Sequence, residues 1–467
     1  MEDFKDKIIK LYKLLIETYD NYKINEKFIK YVFNKITNNY NYIIKCTKYI
    51  LNNINNYDNY YKKYDSIFIN ILLKNDNAEL YLILLSKIKQ IFFECLKFIS
   101  KINLKASDYI NDNKLKDVKY NIILTNNKIN KKSFELFLIF YNINTLFYKK
   151  DLFIGLDFEF NTKIIALMQI NFEEPTSNNS NNFIYIIYPP DLKINTKKYF
   201  IKNILCNNQI YKVLHGSDSL DIPYLYSDFL IKKDYIINFT NKLIDTRFLC
   251  EYYNIDNNVN EKCKIYYVLN NHKIITDKVF NKILKNENDM GPIYDIKINI
   301  NNISKELLYY TLYDVLFLKY LTLYFFNLGN MYNNIIPEFT RLIFLDRRNI
   351  QSINNILDEK ITIMNNYMLY IKNKKIRLND LFKINIKNIN IMNINKILNI
   401  KYFKKTITLI LKYIFYSFLN KKFKIYKNKN ELFKDDLNFN NFQILNKYKN
   451  ILNFLNIYKN KLKKIEN

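Results

Sequence analysis

The pattern of apolar and polar residues divides the chain into a central segment of short apolar runs and two helical flanks. Near the N-terminus, apolar residues recur at helical spacing, which predicts an amphipathic helix. They are Ile8, Leu11, Tyr12, Leu15 and Ile16. Residues 78–102 predict a longer helix, which Lys87 and Lys89 make too polar to cross a membrane. Beyond residue 338 the pattern is again helical and rich in lysine.

The central segment predicts alternating strands and helices. Runs rich in β-forming residues and ended by polar residues or proline predict strands at 152–160, 164–170, 183–188, 211–216 and 243–246. The first three follow one another through short turns, which predicts an antiparallel meander. Helices are predicted at 195–206, 218–230, 247–254 and 304–326, with Ser304 as a helix cap. This order favours an α/β fold built on a mixed five-stranded sheet.

Turn-forming residues mark the same boundaries. All 4 glycines and all 6 prolines lie between residues 155 and 337. Because glycine and proline punctuate turns, the centre is expected to be tightly turned and the flanks to be mainly helical. We therefore expect a helical N-terminal region at 1–140, a central domain at 145–330 and a basic, mainly helical C-terminal region at 338–467.

Charge changes this picture by suggesting a polyanionic partner. The formal net charge is +28, and nucleic acid is the first partner that such a charge favours, ahead of an anionic membrane surface. Residues 371–467 hold 23 Lys or Arg against 5 Asp or Glu, whereas residues 151–330 hold 19 against 20. The basic arm at 371–467 is therefore the candidate contact region. There are two alternatives to nucleic-acid contact. The lysines could form an ordinary solvated surface whose composition reflects A/T-rich codons, or the arm could bind a protein partner.

The rarer residue types exclude several classes of site. The 5 cysteines are scattered without a C-x-x-C motif, so they suggest neither a disulfide framework nor a zinc site, and they fit a reducing, intracellular compartment. Only His215 and His272 are present, which excludes a histidine-rich metal site. The N-terminal sequence does not resemble a signal peptide, and residues 320–337 are too rich in asparagine to predict a transmembrane span.

Two acids lie inside the first central strand. Asp157 and Glu159 stand at i and i+2, so their side chains point to one face of the strand. Acids are rarely buried unless they are paired or bind metal. A cation would satisfy both charges, whereas the alternative is a strand end at which both acids are solvated.

Two later segments place further polar groups beside apolar elements. Asp218 and Asp221 follow the strand that ends at His215-Gly216, close to a predicted helix start. Tyr310 and Asp314 stand at i and i+4 of the last central helix, on the face whose apolar residues are expected to dock on the sheet. These side chains pack poorly against a sheet unless they point into a site.

In this order and spacing, the motifs resemble those of the DEDD superfamily of 3′–5′ exonucleases, in its DEDDy branch. The similar groups are ribonuclease D, the exosome-associated exonuclease and the Werner-type exonuclease domain. The resemblance covers roughly residues 145–330, and it rests on Asp157-Phe158-Glu159, Leu167-Met168-Gln169-Ile170, His215-Gly216 through Leu225, Ile244-Asp245-Thr246 and Tyr310-x-x-x-Asp314. It implies a ribonuclease H-like fold.

The second motif departs from the family pattern. The acid that follows His-Gly stands at a longer interval than usual, and Leu220 occupies the expected place. A one-residue insertion would make Asp221 the motif acid, because Asp221-Ile222-Pro223-Tyr224-Leu225 matches the later part of the pattern. Asp218 is the alternative. Basic and aromatic residues that precede the third motif in the family are also missing, which leaves the substrate preference open.

The resemblance implies a two-metal phosphodiester hydrolase. Hard ions such as Mg²⁺ or Mn²⁺ prefer carboxylate oxygens, and two of them roughly 4 Å apart neutralise the attacking and leaving oxygens. By resemblance, Asp157 would bridge both ions and Asp221 would hold the ion at the leaving group. Glu159 and Asp314 would hold the ion that generates hydroxide, and Tyr310 would orient the attacking water.

The function expected is metal-dependent 3′–5′ exonuclease activity on a single-stranded 3′ end, with RNA favoured over DNA and no membrane partner. A DNA exonuclease and a decayed, non-enzymatic nucleic-acid-binding scaffold are the alternatives. Two neighbouring residues are expected to be structural. His215 should have a structural role at the end of its strand, and Asp245 should cap a turn or a helix.

Overall fold

The computed structural model describes most of the first 345 residues and two short segments beyond them. The described residues are 2–21, 23–53, 78–147, 151–162, 164–173, 181–217, 220–257, 259, 261–329, 332–333, 336–345, 376–377 and 436–437. Asp218 lies outside them, and so does nearly all of the basic arm at 371–467.

Seven strands form one mixed sheet. They are β1 (Ile102–Lys105), β2 (Lys119–Leu124), β3 (Leu152–Asn161), β4 (Ile164–Phe172), β5 (Asn181–Ile187), β6 (Ile210–Leu214) and β7 (Leu243–Asp245). Their order is β1-β2-β5-β4-β3-β6-β7. The pairs β3–β4 and β4–β5 are antiparallel, which confirms the predicted meander. Strand β2 pairs with β1 antiparallel and with β5 parallel. The α/β class is thus confirmed.

The sheet has seven strands because the N-terminal region adds two to the five that were predicted. This region is mainly helical, as expected, yet it also contributes β1 and β2. Strand β1 is only 4 residues long, too short for its alternation to stand out. Strand β2 is almost wholly buried, and a buried strand gives a continuous apolar run that periodicity cannot distinguish from a helix.

Fourteen α-helices accompany the sheet within the described residues. Before β3 these are α1 (Glu2–Asn21), α2 (Glu26–Asn38), α3 (Tyr40–Asn53), α4 (Ala78–Ile99) and α5 (Lys128–Phe147). Next come α6 (Ile194–Phe200), α7 (Asp221–Asp228), α8 (Lys233–Thr240), α9 (Thr246–Asn257) and α10 (Ile265–Asn271). The last are α11 (Asp277–Met290), α12 (Lys305–Leu316), α13 (Leu318–Asn327) and α14 (Ile336–Leu345). Two further short strands, β8 (Ile376–Arg377) and β9 (Asp436–Leu437), pair antiparallel.

Two of the predicted helices are not continuous α-helices. The single helix expected at 304–326 is divided at Phe317 into α12 and α13. Its start is confirmed, because the Ser304 hydroxyl accepts a hydrogen bond from the Leu307 amide at 3.1 Å. The helix expected at 195–206 begins as α6 and continues as a π-helical turn at Ile201–Leu205.

The chain divides into two compact units. The first comprises residues 1–212 and 275–316, and the second comprises residues 213–274 and 317–467. The three-part domain organisation expected from the sequence stays a prediction.

Aromatic packing forms the core of the first unit. The Phe137 ring of α5 lies 4.9 Å from Phe172 of β4 and 5.1 Å from Tyr185 of β5, measured between ring centroids. Burying each such side chain stabilises the fold by about 1.5–3 kcal/mol. On the sheet, helix α12 contacts both β3 and β4.

The second unit contains a disulfide that the sequence did not suggest. Cys250 of α9 is bonded to Cys263, which precedes α10, and their Cα atoms are 5.8 Å apart. The expectation that no cysteines are paired was therefore wrong for these two. The two cysteines are 13 residues apart, a spacing that matches no recognisable motif.

Within the described part of the chain, every helix is too short or too polar to cross a bilayer.

Candidate metal centre

Strand β3 presents Asp157 and Glu159 on one face. Asp157 is paired in register with Gln169 of β4, and Glu159 with Leu167. A β-bulge follows at Glu159/Phe160. Paired residues on antiparallel strands share a face, so the two acids, Gln169 and Leu167 lie together. Glu159 is only 6% exposed, whereas Asp157 is half-buried.

Helix α12 supplies Asp314 and Tyr310, both half-buried. Two asparagines tie the flanks of this helix to the strands beneath it. The Asn171 amide donates to the Val315 carbonyl at 3.2 Å. The Asn161 amide donates to the Ile298 carbonyl at 2.8 Å and accepts from the Ile298 amide at 2.9 Å. Asn171 also shares the strand face of Gln169, two residues away, which shows that this face is the one covered by α12.

The structure brings three of the predicted acids together. Carboxylate oxygens of Asp157, Glu159 and Asp314, one from each, all lie within 4.8 Å of one another. Three like charges at this separation destabilise one another unless a cation offsets them. An all-carboxylate set suits a hard divalent ion such as Mg²⁺ or Mn²⁺. These residues therefore fit the divalent metal that the sequence predicts, and the identity of the ion stays a prediction.

Tyr310 stands one helical turn before Asp314. The negative charge of Asp314 raises the pKa of Tyr310 far above its ordinary value, and burial and the charges of Glu159 and Asp157 add to this effect. The Tyr310 hydroxyl is therefore a neutral phenol, which can donate a hydrogen bond but cannot act as a phenolate base. Glu287 of α11 also raises this pKa. The sequence reasoning missed Glu287, which belongs to none of the motifs that carry the resemblance.

Gln169 was noted only as part of a strand motif, yet its environment is unusual. Its side chain is fully buried, and neither Oε1 nor Nε2 has a hydrogen-bond partner among the described residues. Buried amides are normally hydrogen-bonded. The signal in the sequence was one polar residue within an apolar strand.

Asp221 is the first residue of α7, in the second unit. The structure describes it as half-buried in the first helical turn, where the helix dipole stabilises a carboxylate. The expected helix start at 218 thus lies three residues further on, and Asp218 is outside the described residues. The assignment of Asp221 as a metal ligand stays a prediction.

Asp245, in contrast, has a structural role. Its buried carboxylate accepts hydrogen bonds from the amides of Gly216, Ser217 and Arg247 and from the Ser217 hydroxyl, at 2.8 to 3.0 Å. Gly216 has a φ of +72°, a conformation that favours glycine. Asp245 therefore fixes the turn after β6 and the first turn of α9, as expected.

His215 is structural in the same way. Its Nε2 is 2.9 Å from the Cys263 carbonyl, which can only accept, so Nε2 carries a proton. Its Nδ1 is 2.8 Å from the Thr246 hydroxyl. Burial lowers the pKa of His215, and the positive charge of Arg247 acts in the same direction, against the raising effects of Asp245 and the Cys263 carbonyl.

Comparison with known proteins adds one sequence relative. No model of a known protein family matches the chain. An uncharacterised protein of Acanthamoeba polyphaga mimivirus is 32% identical over 336 residues, which cover 65% of this chain and 65% of that protein. The chain thus matches less than two thirds of the length of this relative, whose description assigns no activity.

Several solved structures show a distant likeness. RNase D of Trypanosoma brucei in complex with GMP is 16% identical, with a TM-score of 0.33, and covers 49% of this chain and 64% of that one. The Nibbler EXO domain of Aedes aegypti is 14% identical, with a TM-score of 0.31, and the match covers 48% of this chain and 95% of that one. Brucella melitensis NrnC is 13% identical, with a TM-score of 0.27, and the match covers 43% of this chain and 84% of that one.

Proposed function

We propose that the chain is a metal-dependent 3′–5′ exonuclease that hydrolyses the terminal phosphodiester bond of a single-stranded nucleic acid. The observation that carries the proposal is the convergence of Asp157, Glu159 and Asp314, with Tyr310 beside them. These residues come from β3 and α12, two elements that are far apart in sequence. They are the residues of the first and third motifs that resemble the DEDDy exonucleases.

In this proposal, Asp157, Glu159 and Asp314 hold divalent ions, and Asp221 is the fourth ligand. When bound, the ions would supply positive charge for the attacking and leaving oxygens of phosphodiester hydrolysis. The chain contributes the placement of the carboxylates. Strand β3 fixes two of them at alternate positions, and the asparagine contacts at Val315 and Ile298 hold α12 over that strand.

Tyr310 is proposed to orient the attacking water. Because a tyrosine hydroxyl has an ordinary pKa of about 10 and is protonated near neutral pH, Tyr310 can donate to or accept from a water molecule without carrying charge. A metal-bound water would lose its proton to solvent near neutral pH, so Tyr310 need not take it up. The role of Tyr310 is positioning the water rather than acting as a general base.

RNA is the proposed substrate, because the motifs resemble those of ribonuclease D, and DNA is the alternative. The nearly neutral central segment attracts a polyanion poorly, so the basic arm at 371–467 is proposed to supply the attraction to phosphates. Aromatic residues alternate with lysines at 421–427, where they could stack on unpaired bases.

Digestion of matched RNA and DNA oligomers tests the proposal. The full chain is incubated with 5′-labelled single strands of one sequence, in the presence of Mg²⁺, of Mn²⁺, or of a chelator. We expect products that shorten stepwise from the 3′ end, faster on RNA, and no products with the chelator. Digestion of DNA alone would select the DNA exonuclease. Intact oligomers of both kinds, bound but not cleaved, would select the non-enzymatic scaffold.

A further inference from the structure

Gln169 lies opposite the acid that would be shared by the bound ions. Asp157 and Gln169 are register partners on β3 and β4, and such partners have Cβ atoms about 5 Å apart on the same face. Gln169 is 0% exposed. Its Oε1 and Nε2 have no hydrogen-bond partner in the described chain. An amide with both polar ends unsatisfied therefore lies beside the carboxylate cluster.

The neighbouring residues of β4 show that this amide faces the site and not the opposite side of the sheet. Asn171, two residues further along β4, donates to Val315, which directly follows Asp314. Leu167, two residues before Gln169, is paired with Glu159. Gln169 thus lies between a contact to α12 and the partner of the second acid, on the face that carries Asp157 and Glu159 and that α12 covers.

The chemistry of the two groups determines which atom donates. An ionised carboxylate can only accept hydrogen bonds, and a glutamine amide donates only through Nε2. Carboxylates that bind a metal are commonly held by hydrogen bonds from neighbouring groups, and loss of such a partner weakens metal binding about 10- to 100-fold. Gln169 is the buried donor that this arrangement requires.

We propose that Gln169 is a positioning residue of the metal centre, whose Nε2–H donates a hydrogen bond to the Asp157 carboxylate when a divalent ion is bound. The proposal rests on the proposed function, since it requires Asp157 to be a metal ligand. It also explains why a polar side chain with no partner is kept within an apolar strand: its partner is an acid whose orientation is set by the ion.

Gln169→Met in the full chain tests the proposal, because methionine keeps the length of the side chain and removes both polar atoms. The readouts are the Kd for Mn²⁺ from titration calorimetry and the Tm in the presence of chelator. Met168→Leu, which changes the opposite face of the same strand, is the control. We expect Gln169→Met to raise the Kd about 10- to 100-fold, with a Tm in chelator equal to or above that of the unchanged chain. The control should change neither quantity beyond the scatter of repeated measurements.

Three results would overturn the proposal. An unchanged Kd in Gln169→Met would show that the amide does not serve the metal centre, while the proposed function stands if the unchanged chain binds Mn²⁺. A lower Tm in chelator with an unchanged Kd, or failure of both Gln169→Met and Gln169→Leu to fold, would assign the amide to the fold. If the unchanged chain itself binds no Mn²⁺, the metal centre and the role of Gln169 both fail.

Discussion

Asn161 holds Ile298 through two hydrogen bonds, one to its carbonyl and one from its amide. Asn161 ends β3, two residues after Glu159, and Ile298 lies in the segment that leads to α12. A single side chain therefore joins the strand that carries two acids of the candidate centre to the approach of the helix that carries the third. The side-chain amide of Asn161 satisfies both backbone groups of Ile298, as a paired residue of a neighbouring strand would do.

Asn161→Ala should loosen this connection. The change leaves two backbone groups without partners, and we expect a loss of about 1–3 kcal/mol in the free energy of unfolding. Nuclease activity should fall further than that of the control, because the segment that leads to α12, the helix that carries Asp314, is held less firmly. Asn301→Ala, an exposed asparagine of the same segment, should change stability by less than about 0.5 kcal/mol. Urea unfolding of both variants checks the prediction, and equal stability of the two would contradict it.

Asp245→Ala should lower the stability of the fold, whereas Asp157→Asn should not. The Asp245 carboxylate accepts four hydrogen bonds, so its loss should lower the free energy of unfolding by roughly 3 kcal/mol. Asp157 lies among like charges, so Asp157→Asn should leave the Tm in chelator unchanged or raise it. Thermal unfolding in chelator compares the two. A large drop in the Tm of Asp157→Asn would show that this acid holds the fold together.

Acidification below the ordinary histidine pKa should destabilise the protein through His215. Burial lowers the pKa of folded His215, whereas the unfolded residue titrates at about 6.5. Between these two pKa values the unfolded state binds more protons than the folded state. The contribution of His215 to stability is therefore fully present above about pH 6.5 and is lost as the pH falls. His272 has a pKa that burial lowers in the same way.

The matching variant is His215→Gln, which keeps a donor for the Cys263 carbonyl. Its urea midpoint should fall less steeply than that of the unchanged chain between about pH 7 and pH 5. Comparison of the two chains cancels the titration of the carboxylates, which both share. Parallel curves would contradict the assignment of this pH dependence to His215.

The basic arm at 371–467 should control the affinity for nucleic acid and its salt dependence. Deleting it should weaken binding of a single strand and flatten the plot of log affinity against log salt, by roughly 0.7 for each phosphate that the arm neutralises. A full-length chain in which Lys421, Lys422, Lys424 and Lys427 are changed to serine should show part of this effect. Fluorescence anisotropy at several salt concentrations measures both variants. If both variants bind with the affinity and the salt slope of the unchanged chain, the arm does not supply the attraction to phosphates.

The sequence predicted the parts of the molecule where local chemistry determines the structure. Runs of β-forming residues ended by polar residues or proline defined β3, β4 and β5, and the Ser304 cap defined the start of α12. The acids of the first and third motifs could therefore be placed on these elements from the sequence. Strands β1 and β2 were missed, since one is short and the other is buried along nearly its whole length. Their pairing depends on long-range contacts that local patterns do not encode.

Two further features, one of the fold and one of the site, could not be read from the sequence. The Cys250–Cys263 disulfide depends on the folded positions of two cysteines whose spacing of 13 residues matches no motif. The isolation of the Gln169 amide depends on the register of β3 against β4. A shift of one residue would place Gln169 on the opposite face, so its relation to Asp157 is a property of the folded sheet.

The most direct test of the account compares Asp157→Asn with Asp151→Asn, an exposed acid just before the same strand. Each purified full-length variant is incubated with 5′-labelled single-stranded RNA and Mg²⁺ or Mn²⁺, and the products are resolved by length. The account predicts that Asp151→Asn and the unchanged chain shorten the RNA stepwise from its 3′ end, while Asp157→Asn leaves it intact. Equal shortening by Asp157→Asn, or no shortening by the unchanged chain, would contradict it.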